Sequence, residues 1–490
     1  MENAGYLKDE KKQQALLAAV VVTGITIMLN NTTVSIALPS FITIFNTDIR
    51  MAQWIVVGYM LSLGMAMPLA SYFGERYSYR KLFLTALAAM GLSSLACASA
   101  WGLYSLVFFR IVKGAVSGVL IPCTMTLLYR NIPKEKQPYY LGVTVMSHSL
   151  GVAIGPSIAG MLLEFSSWHI LFLINVPMVA LALYLSWRSL PVDLGQNREP
   201  MDFAGILMVA VGTGLVLIGF TNVQVWGATS PKFIFFLAVG LLLSLLFIIR
   251  ETNSNQPILN FKVLKYRPFA IALLINCVIA MTLGINGILV AVYVQTILGY
   301  SPMVSGLILI LPSVAMVMGN VASNYLFNKV SSKILVFSGL MIAAIGNYAL
   351  SRAGLSTGVV AITIYMSIRL LGMGIVKMPL TDYGLGNVPS SLTGHASSMF
   401  NWGKQIVSVI SINILTVVLS INTARYYAEA GYSGEIIQGT ASYAIAAVQA
   451  VNDDFLYLTF FMVGSALLSL LMDGNSNTST FKNQRAVLKN

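Results

Sequence analysis

The stretch Gly142-Val-Thr-Val-Met-Ser-His-Ser-Leu-Gly151-Val-Ala-Ile-Gly155-Pro156-Ser-Ile-Ala-Gly160 carries no charged residue. Widened to 139–163, it is long enough to cross the hydrocarbon core of a bilayer as a helix, which takes about 20 apolar residues. Gly151 and Gly155 lie one helical turn apart, and Gly160 follows beyond Pro156. Small residues at i and i+4 flatten one helix face, so that a second helix can approach closely. Pro156 removes a backbone donor and permits a bend. Two readings fit: ordinary tight packing, or a pliable gate helix built on Gly151, Gly155, Pro156 and Gly160.

The same window applied outward gives apolar runs near 14–38, 52–74, 82–100, 102–129, 139–163, 168–187, 202–222, 233–249, 268–297, 303–326, 334–351, 357–381, 393–420 and 455–472. These fourteen runs predict an all-α membrane protein. Composition agrees. Hydrophobic residues make up 57% of the 490, charged residues 9%, and mean hydropathy is +0.78. A soluble domain runs nearer a quarter charged, so this chain lacks the polar residues to coat a surface in water. The first apolar run is too long for a cleaved signal segment. Cys97, Cys123 and Cys277 stand singly in apolar runs without metal-ligand spacing and read as small core residues.

Net charge is +12, which in a soluble protein would suggest nucleic acid. Here topology accounts for it. Twenty Lys and Arg fall on the side of the N-terminus, and four (Arg50, Lys232, Arg352, Arg425) on the other. The positive-inside bias then predicts a multi-pass protein of a bacterial-type inner membrane with both termini cytoplasmic. The expected partner is the lipid bilayer, not nucleic acid. Residues 250–267 form a basic cytoplasmic linker. Residues 421–454 form a long external loop, rich in Ala and Tyr, with room for a short helix and ending in Asn452-Asp453-Asp454.

Five bases remain inside the spans: Arg110, Lys113, Arg369, Lys377 and Lys404. A charge near the bilayer centre costs at least about 2.5–3.5 kcal/mol, so such residues usually face an aqueous cavity and mark function. Arg110 and Lys113 share one helix face. For Arg110 the competing reading is a hydrogen bond to carbonyls of another helix. Lys377 lies nearer the cytoplasmic end, within reach of snorkelling. Lys113 and Lys404, without an acid partner, need water or an anion. No acid is expected in the middle third of any span: Glu75, Glu164, Asp202 and Asp382 fall at span ends. His148 is the histidine well inside a span, with His169 and His395 at span ends. It reads either as a proton site or as a packed core residue. A weak internal repeat relates Arg110, Gly114, Pro122 and Pro133 to Arg369, Gly372, Pro379 and Pro389, as in transporters built from repeated halves. No H-E-x-x-H or P-loop motif occurs. The chain therefore reads as no enzyme, with neither catalytic nor metal-binding residues, driven by a gradient and not by bound nucleotide.

Four motifs carry a family resemblance. Asn30-Asn31-Thr32-Thr33-Val34-Ser35-Ile36-Ala37-Leu38-Pro39 is similar to a first-helix signature D-x-T-[IV]-V-N-V-A-L-P. Gly151 to Gly160 is similar to G-x-x-x-G-P-x-x-G-G, with Ala159 for one glycine. Arg110-Ile-Val-Lys113-Gly114 is similar to R-x-x-Q-G, and Ser71 to Arg80 to G-x-L-x-D-R-x-G-R-[RK]. On these the chain resembles the major facilitator superfamily, in its fourteen-spanner branch of drug:proton antiporters.

The resemblance implies two six-helix bundles, 1–190 and 268–490, with two additional helices and the linker in 191–267. It implies a monomeric secondary exporter of amphipathic small molecules of the multidrug-efflux type, working by alternating access with protons as the coupling ion and no other cofactor. Candidate cavity residues are Asn30, Asn31, Arg110, Lys113, His148, Arg369 and Lys404; Glu75, Arg76 and Arg80 join the glycines and Pro156 as gating candidates. The departures matter. Asn30 replaces the first-helix Asp and Lys113 the fourth-helix Gln. Ser71 and Ser78 replace loop glycines, Glu75 the loop Asp, and Tyr79 one Arg. Excess base without a membrane acid supports an alternative, an exporter of an anionic amphiphile or metabolite such as a fatty acid, an acidic lipid or a nucleotide-like compound.

Overall fold

The computed structural model describes residues 7, 9–37, 41, 44–47, 49–165, 167–191, 202–254, 257–300, 307–327, 329–431 and 441–473. Every regular element among them is helical. In chain order these are α1 (Glu10–Ile36), α2 (Ile49–Ala66), α3 (Leu69–Tyr77), α4 (Tyr79–Ala98), α5 (Leu103–Asn131), α6 (Gln137–Phe165), α7 (Ile170–Leu173), α8 (Asn175–Ser189), α9 (Phe203–Thr221), α10 (Val223–Trp226), α11 (Pro231–Asn253), α12 (Arg267–Ala291), α13 (Ile310–Leu326), α14 (Ser332–Leu350), α15 (Val359–Gly386), α16 (Thr393–Glu429) and α17 (Ala441–Ser469). Among the described residues ten helices are long and apolar enough to cross a membrane, eleven if α2 and α3, bent by 53° at Met67–Pro68, form one span. The other three expected runs are helical in α6, α12 and α13. The chain is thus an all-helical, multi-pass membrane protein.

The expected external loop 421–454 is corrected. Helix α16 continues to Glu429, and α17 starts at Ala441; residues 432–440 lie outside the described residues. Asn452, Asp453 and Asp454 dilute the hydropathy of this segment and hide its periodicity. Ala446, Ala447, Ala450 and Val451 nevertheless form a buried face, and alanine is the best helix former.

The chain divides into two compact units. The first comprises Met1–Gly219, Thr229–Phe269 and Leu385–Gly403; the second comprises Phe220–Ala228, Ala270–Gly384 and Lys404–Asn490. In the first unit, α5 lies on α2 with glycines at the crossing. A Cβ on Gly114 would strike Ser62 and the Tyr59 carbonyl, and one on Gly118 the Leu63 carbonyl. The second unit repeats the device, with Gly372 against the Gly339 carbonyl and Gly374 against the Met316 carbonyl. Lipid tails are as apolar as leucine, so helices in a membrane gain chiefly by such close backbone approach.

Helix starts follow local chemistry. Asp9 accepts from the Lys11 amide at 2.9 Å and Ser331 caps α14. The helix from Phe203 is tied down by its flank: the Asp202 carboxylate takes a two-pronged bond from Arg250 of α11 (2.9 and 3.0 Å) and one from the Gly205 amide. Burial pushes this carboxyl upward, but Arg250 and the backbone donors outweigh it and hold it below its ordinary value.

Pro379 interrupts α15 and leaves the Ile375 carbonyl without its helical donor. The Ser323 hydroxyl of α13 supplies the missing bond at 2.7 Å. Ser323→Ala should therefore cost about 0.6–2 kcal/mol, read as a lowered melting temperature in detergent. Ala322→Ser, on the same helix, serves as a control and should leave it unchanged.

Candidate functional site

Arg110 is fully buried in the first unit. Its Nε–H donates to the Ile55 carbonyl of α2 at 2.9 Å, and its guanidinium carbon lies 4.2 Å from the centre of the Tyr59 ring. The carbonyl reading of Arg110 is the one observed, joined by a cation–π contact. Both terminal nitrogens lack hydrogen-bond partners. One turn along, Lys113 is also fully buried, with Nζ 5.4 Å from the Phe172 ring centre and without a partner. Neither amide atom of Asn30 on α1 is bonded, and the Tyr59 hydroxyl lies near Asn30 and Ser117 without reaching hydrogen-bond geometry. Asn30, Tyr59, Arg110 and Lys113 therefore form a buried polar cluster with two cations. Tyr59 is its ring platform, which spacing alone did not single out. Asn31 is half-buried on the same helix.

His148 sits elsewhere in this unit. Its Nδ1 lies 2.9 Å from the Thr144 carbonyl one turn back, so that nitrogen carries the proton. The ring packs where α1 carries Gly24, at which a Cβ would come within 3.3 Å of Nε2. Gly151 and Gly155 press α6 against α1. A Cβ at Gly151 would meet Met28 at 2.7 Å and the Ile25 carbonyl at 3.0 Å, and one at Gly155 would collide with the Thr32 hydroxyl. Pro156 and Gly160 lie on the same helix, and their surroundings fall outside the described residues, as do Leu38 and Pro39.

The second unit holds Arg369, Lys377 and Lys404. Arg369 is fully buried and donates to the Thr282 carbonyl of α12 at 2.7 Å, with Nε and the other terminal nitrogen unpartnered. It thus repeats the role of Arg110, as the internal repeat implied. Lys377 and Lys404 are half-buried and close enough to repel one another.

The expectation that no acid lies mid-span is corrected. Asp454 stands about midway along α17, fully buried. Placing this segment in a loop concealed it.

The loop motif forms a second constellation. Glu75 bonds Arg130 of α5 at 3.3 Å and the His395 Nε2 at the start of α16 at 3.1 Å. His395 Nδ1 accepts from the Asn260 amide at 3.3 Å, so Nε2 is the donor to Glu75 and a neutral ring suffices. The Ser71 hydroxyl donates to the Ile258 carbonyl at 2.9 Å. The linker is therefore strapped to the motif through Ser71 and His395. Tyr79 stacks under Arg130 at 4.5 Å, and glycines at 74 and 394 leave room for its ring. Ser78 has φ of 96°, in the region that favours glycine. Of the loop bases, Arg76 lies over the Tyr77 ring at 5.6 Å, and Arg80 donates to the Trp187 carbonyl at 3.2 Å.

Comparison with known proteins gives four findings. A family model described as Major Facilitator Superfamily matches residues 20–412. The uncharacterized MFS-type transporter YhcA of Bacillus subtilis (strain 168) is 25% identical over 96% of this chain and 94% of its own. The tetracenomycin C resistance and export protein of Streptomyces glaucescens is 25% identical over 82% of this chain and 75% of its own. Among solved structures, the human organic anion transporter MFSD10 (TETRAN) shares the fold, with a TM-score of 0.63 at 11% identity over 93% of this chain and 100% of that one.

Two substitutions test the site. Gly155→Leu forces α6 off α1 and should abolish turnover while leaving membrane insertion intact, read by transport against expression in the same vesicles. Arg110→Lys keeps the charge but loses the planar fork that spans the Ile55 carbonyl and the Tyr59 ring. It should recover less than a tenth of wild-type transport (roughly 1.4 kcal/mol or more); full recovery would show that charge alone matters.

Proposed function

The chain belongs to the Major Facilitator Superfamily, and on that premise we propose that it is a proton-driven exporter of amphipathic small molecules in a bacterial-type inner membrane, with fourteen spans and both termini cytoplasmic. The observation that carries this reading is the buried Asn30–Tyr59–Arg110–Lys113 cluster, four polar residues from three helices with unmet hydrogen-bonding groups inside an apolar bundle. Unmet donors and acceptors at membrane depth are costly unless a ligand or water meets them at some stage of a cycle. The export and resistance named for the Streptomyces relative support the direction and the substrate class. His148 is a candidate proton carrier. The chain acts as a monomer, needs no cofactor beyond protons, and cycles between outward- and inward-open forms, with Glu75, Arg130 and His395 fastening one of them.

One observation favours a second reading, in which the substrate is anionic. The cluster holds two cations and no acid within hydrogen-bond reach among the described residues. A cationic drug entering it meets like charge in a low dielectric, whereas a carboxylate or phosphate completes the free Arg110 and Lys113 donors.

Proteoliposome transport of matched cationic, neutral and anionic amphiphiles, with and without a pH gradient, tests both. Accumulation that depends on the gradient is expected. The anion should bind better than the cation, and Lys113→Gln should weaken the anion roughly tenfold, about 1.4 kcal/mol. Gradient-independent flux would overturn the proton-driven reading. Preference for the cation, unchanged by Lys113→Gln, would overturn the anionic one.

A further inference from the structure

Two acids sit side by side on α17, and the fold treats them in opposite ways. Asp453 points to the polar edge of the second unit. It accepts from the Tyr426 hydroxyl at 2.7 Å and from Asn422 at 3.4 Å, and Arg425 lies 3.8 Å away. Asp454, about 100° further round the helix, points inward. It is fully buried, and neither carboxyl oxygen has a hydrogen-bond partner.

The face that Asp454 shares is apolar. Ala450, Val451 and Leu458, its neighbours one turn back and one turn on, are all fully buried. They belong to a core with Ile285 and Leu289 of α12, Met366 of α15 and Leu415 of α16. The elements around it hold their own polar groups elsewhere. Arg425 and Tyr426 of α16 serve Asp453. Tyr293, in the π-helical turn Val292–Ile297 after α12, donates its hydroxyl to the Gly354 carbonyl at 2.7 Å. Asn452 donates to the Ala353 carbonyl at 2.9 Å, and Arg352 is taken up by Tyr348. Arg369, fully buried in this unit, bonds the Thr282 carbonyl through one terminal nitrogen and leaves Nε and the other unpartnered, but it is not among the groups that act on Asp454. Among the described residues, Asp453 is the charged group near enough to act on Asp454, and it repels an ionised carboxylate there.

An ionised carboxylate stripped of water, hydrogen bonds and countercharge costs several kcal/mol. A neutral carboxyl in the same place costs far less. We infer that Asp454 is a proton-binding site: it carries its proton while this face of α17 is packed, and releases it when the face parts and water or a cation reaches the carboxyl. The π-helical turn beside it is where such a parting is built in, since an i→i+5 turn sits readily beside alternative helix registers and is found mostly at functional positions. The position is distinct from Asn30, where the family pattern has its first-helix acid, and from His148. Its place in the transport cycle rests on the proton-driven reading above; the protonation of Asp454 itself does not.

The test uses the full chain in nanodiscs. Infrared spectra at neutral pH should contain a protonated-carboxyl band that Asp454→Asn removes and Asp453→Asn leaves in place. On the wild type, dicyclohexylcarbodiimide, which adds to protonated carboxyls in apolar settings, should modify Asp454 and not Asp453, with modification falling as pH rises. This second measurement needs no substitution, so it holds even if a variant fails to fold. A protonated-carboxyl band that Asp454→Asn leaves undiminished, or modification confined to Asp453, would overturn the site; any remainder from Glu251, also buried, is unaffected by this substitution. If the band is lost in Asp454→Asn while wild-type transport ignores the pH gradient, the site stands and the proton-driven reading falls. If wild-type transport follows the gradient and Asp454→Asn does too, the carboxyl is protonated but is not the coupling group.

Discussion

Two guanidinium groups bonded to backbone carbonyls inside apolar helix bundles set the terms for the rest of this protein. Arg110 holds the Ile55 carbonyl and Arg369 the Thr282 carbonyl, each reaching across from its own helix to another. In hydrocarbon no water replaces such a bond, so the two helices are pinned at that level. The glycines that follow, at 114 and 118 in one unit and at 372 and 374 in the other, let the helix backbones approach closely. Charge and small residues thus work together: the arginine supplies a bond, and the glycine supplies the distance at which packing holds the helices.

The same scarcity of water explains the irregular places. Pro379 frees a carbonyl, and Ser323 of a neighbouring helix meets it. The loop motif, nearer the helix ends, is satisfied by a chain of bonds that runs from Arg130 through Glu75 and His395 to the linker amide of Asn260. Ser71, where the family pattern has glycine, adds a bond to the linker that glycine lacks. The linker is therefore held by the motif, in three dimensions, through residues that are far apart in sequence.

Buried side-chain atoms without hydrogen-bond partners occur at several positions, among them Arg369 and Asn347, and two places stand out by their charge. One is the cluster of Asn30, Tyr59, Arg110 and Lys113; the other is Asp454, both of whose carboxyl oxygens are unpartnered. The first offers donors to a ligand, and the second offers a carboxyl to a proton, in separate units of the chain.

The sequence by itself determined the class, because hydropathy and the one-sided placement of Lys and Arg depend on the bilayer and not on packing. It also pointed to Arg110 and Arg369 as counterparts, since each is followed by a glycine and then two prolines, at similar though unequal intervals. The closeness of α6 to α1 was legible for the same reason: glycines at i and i+4 define a flat face whatever lies opposite. Which helix lay opposite was not legible, nor was Tyr59 as the platform for Arg110, because such partners are set by helix pairing. The length of α17 was misjudged because averaging over a window treats Asp453 and Asp454 alike. Only the tertiary structure separates them, turning one toward Tyr426 and the other into the core, and that rotation about the helix axis decides which of the two can hold a proton away from water.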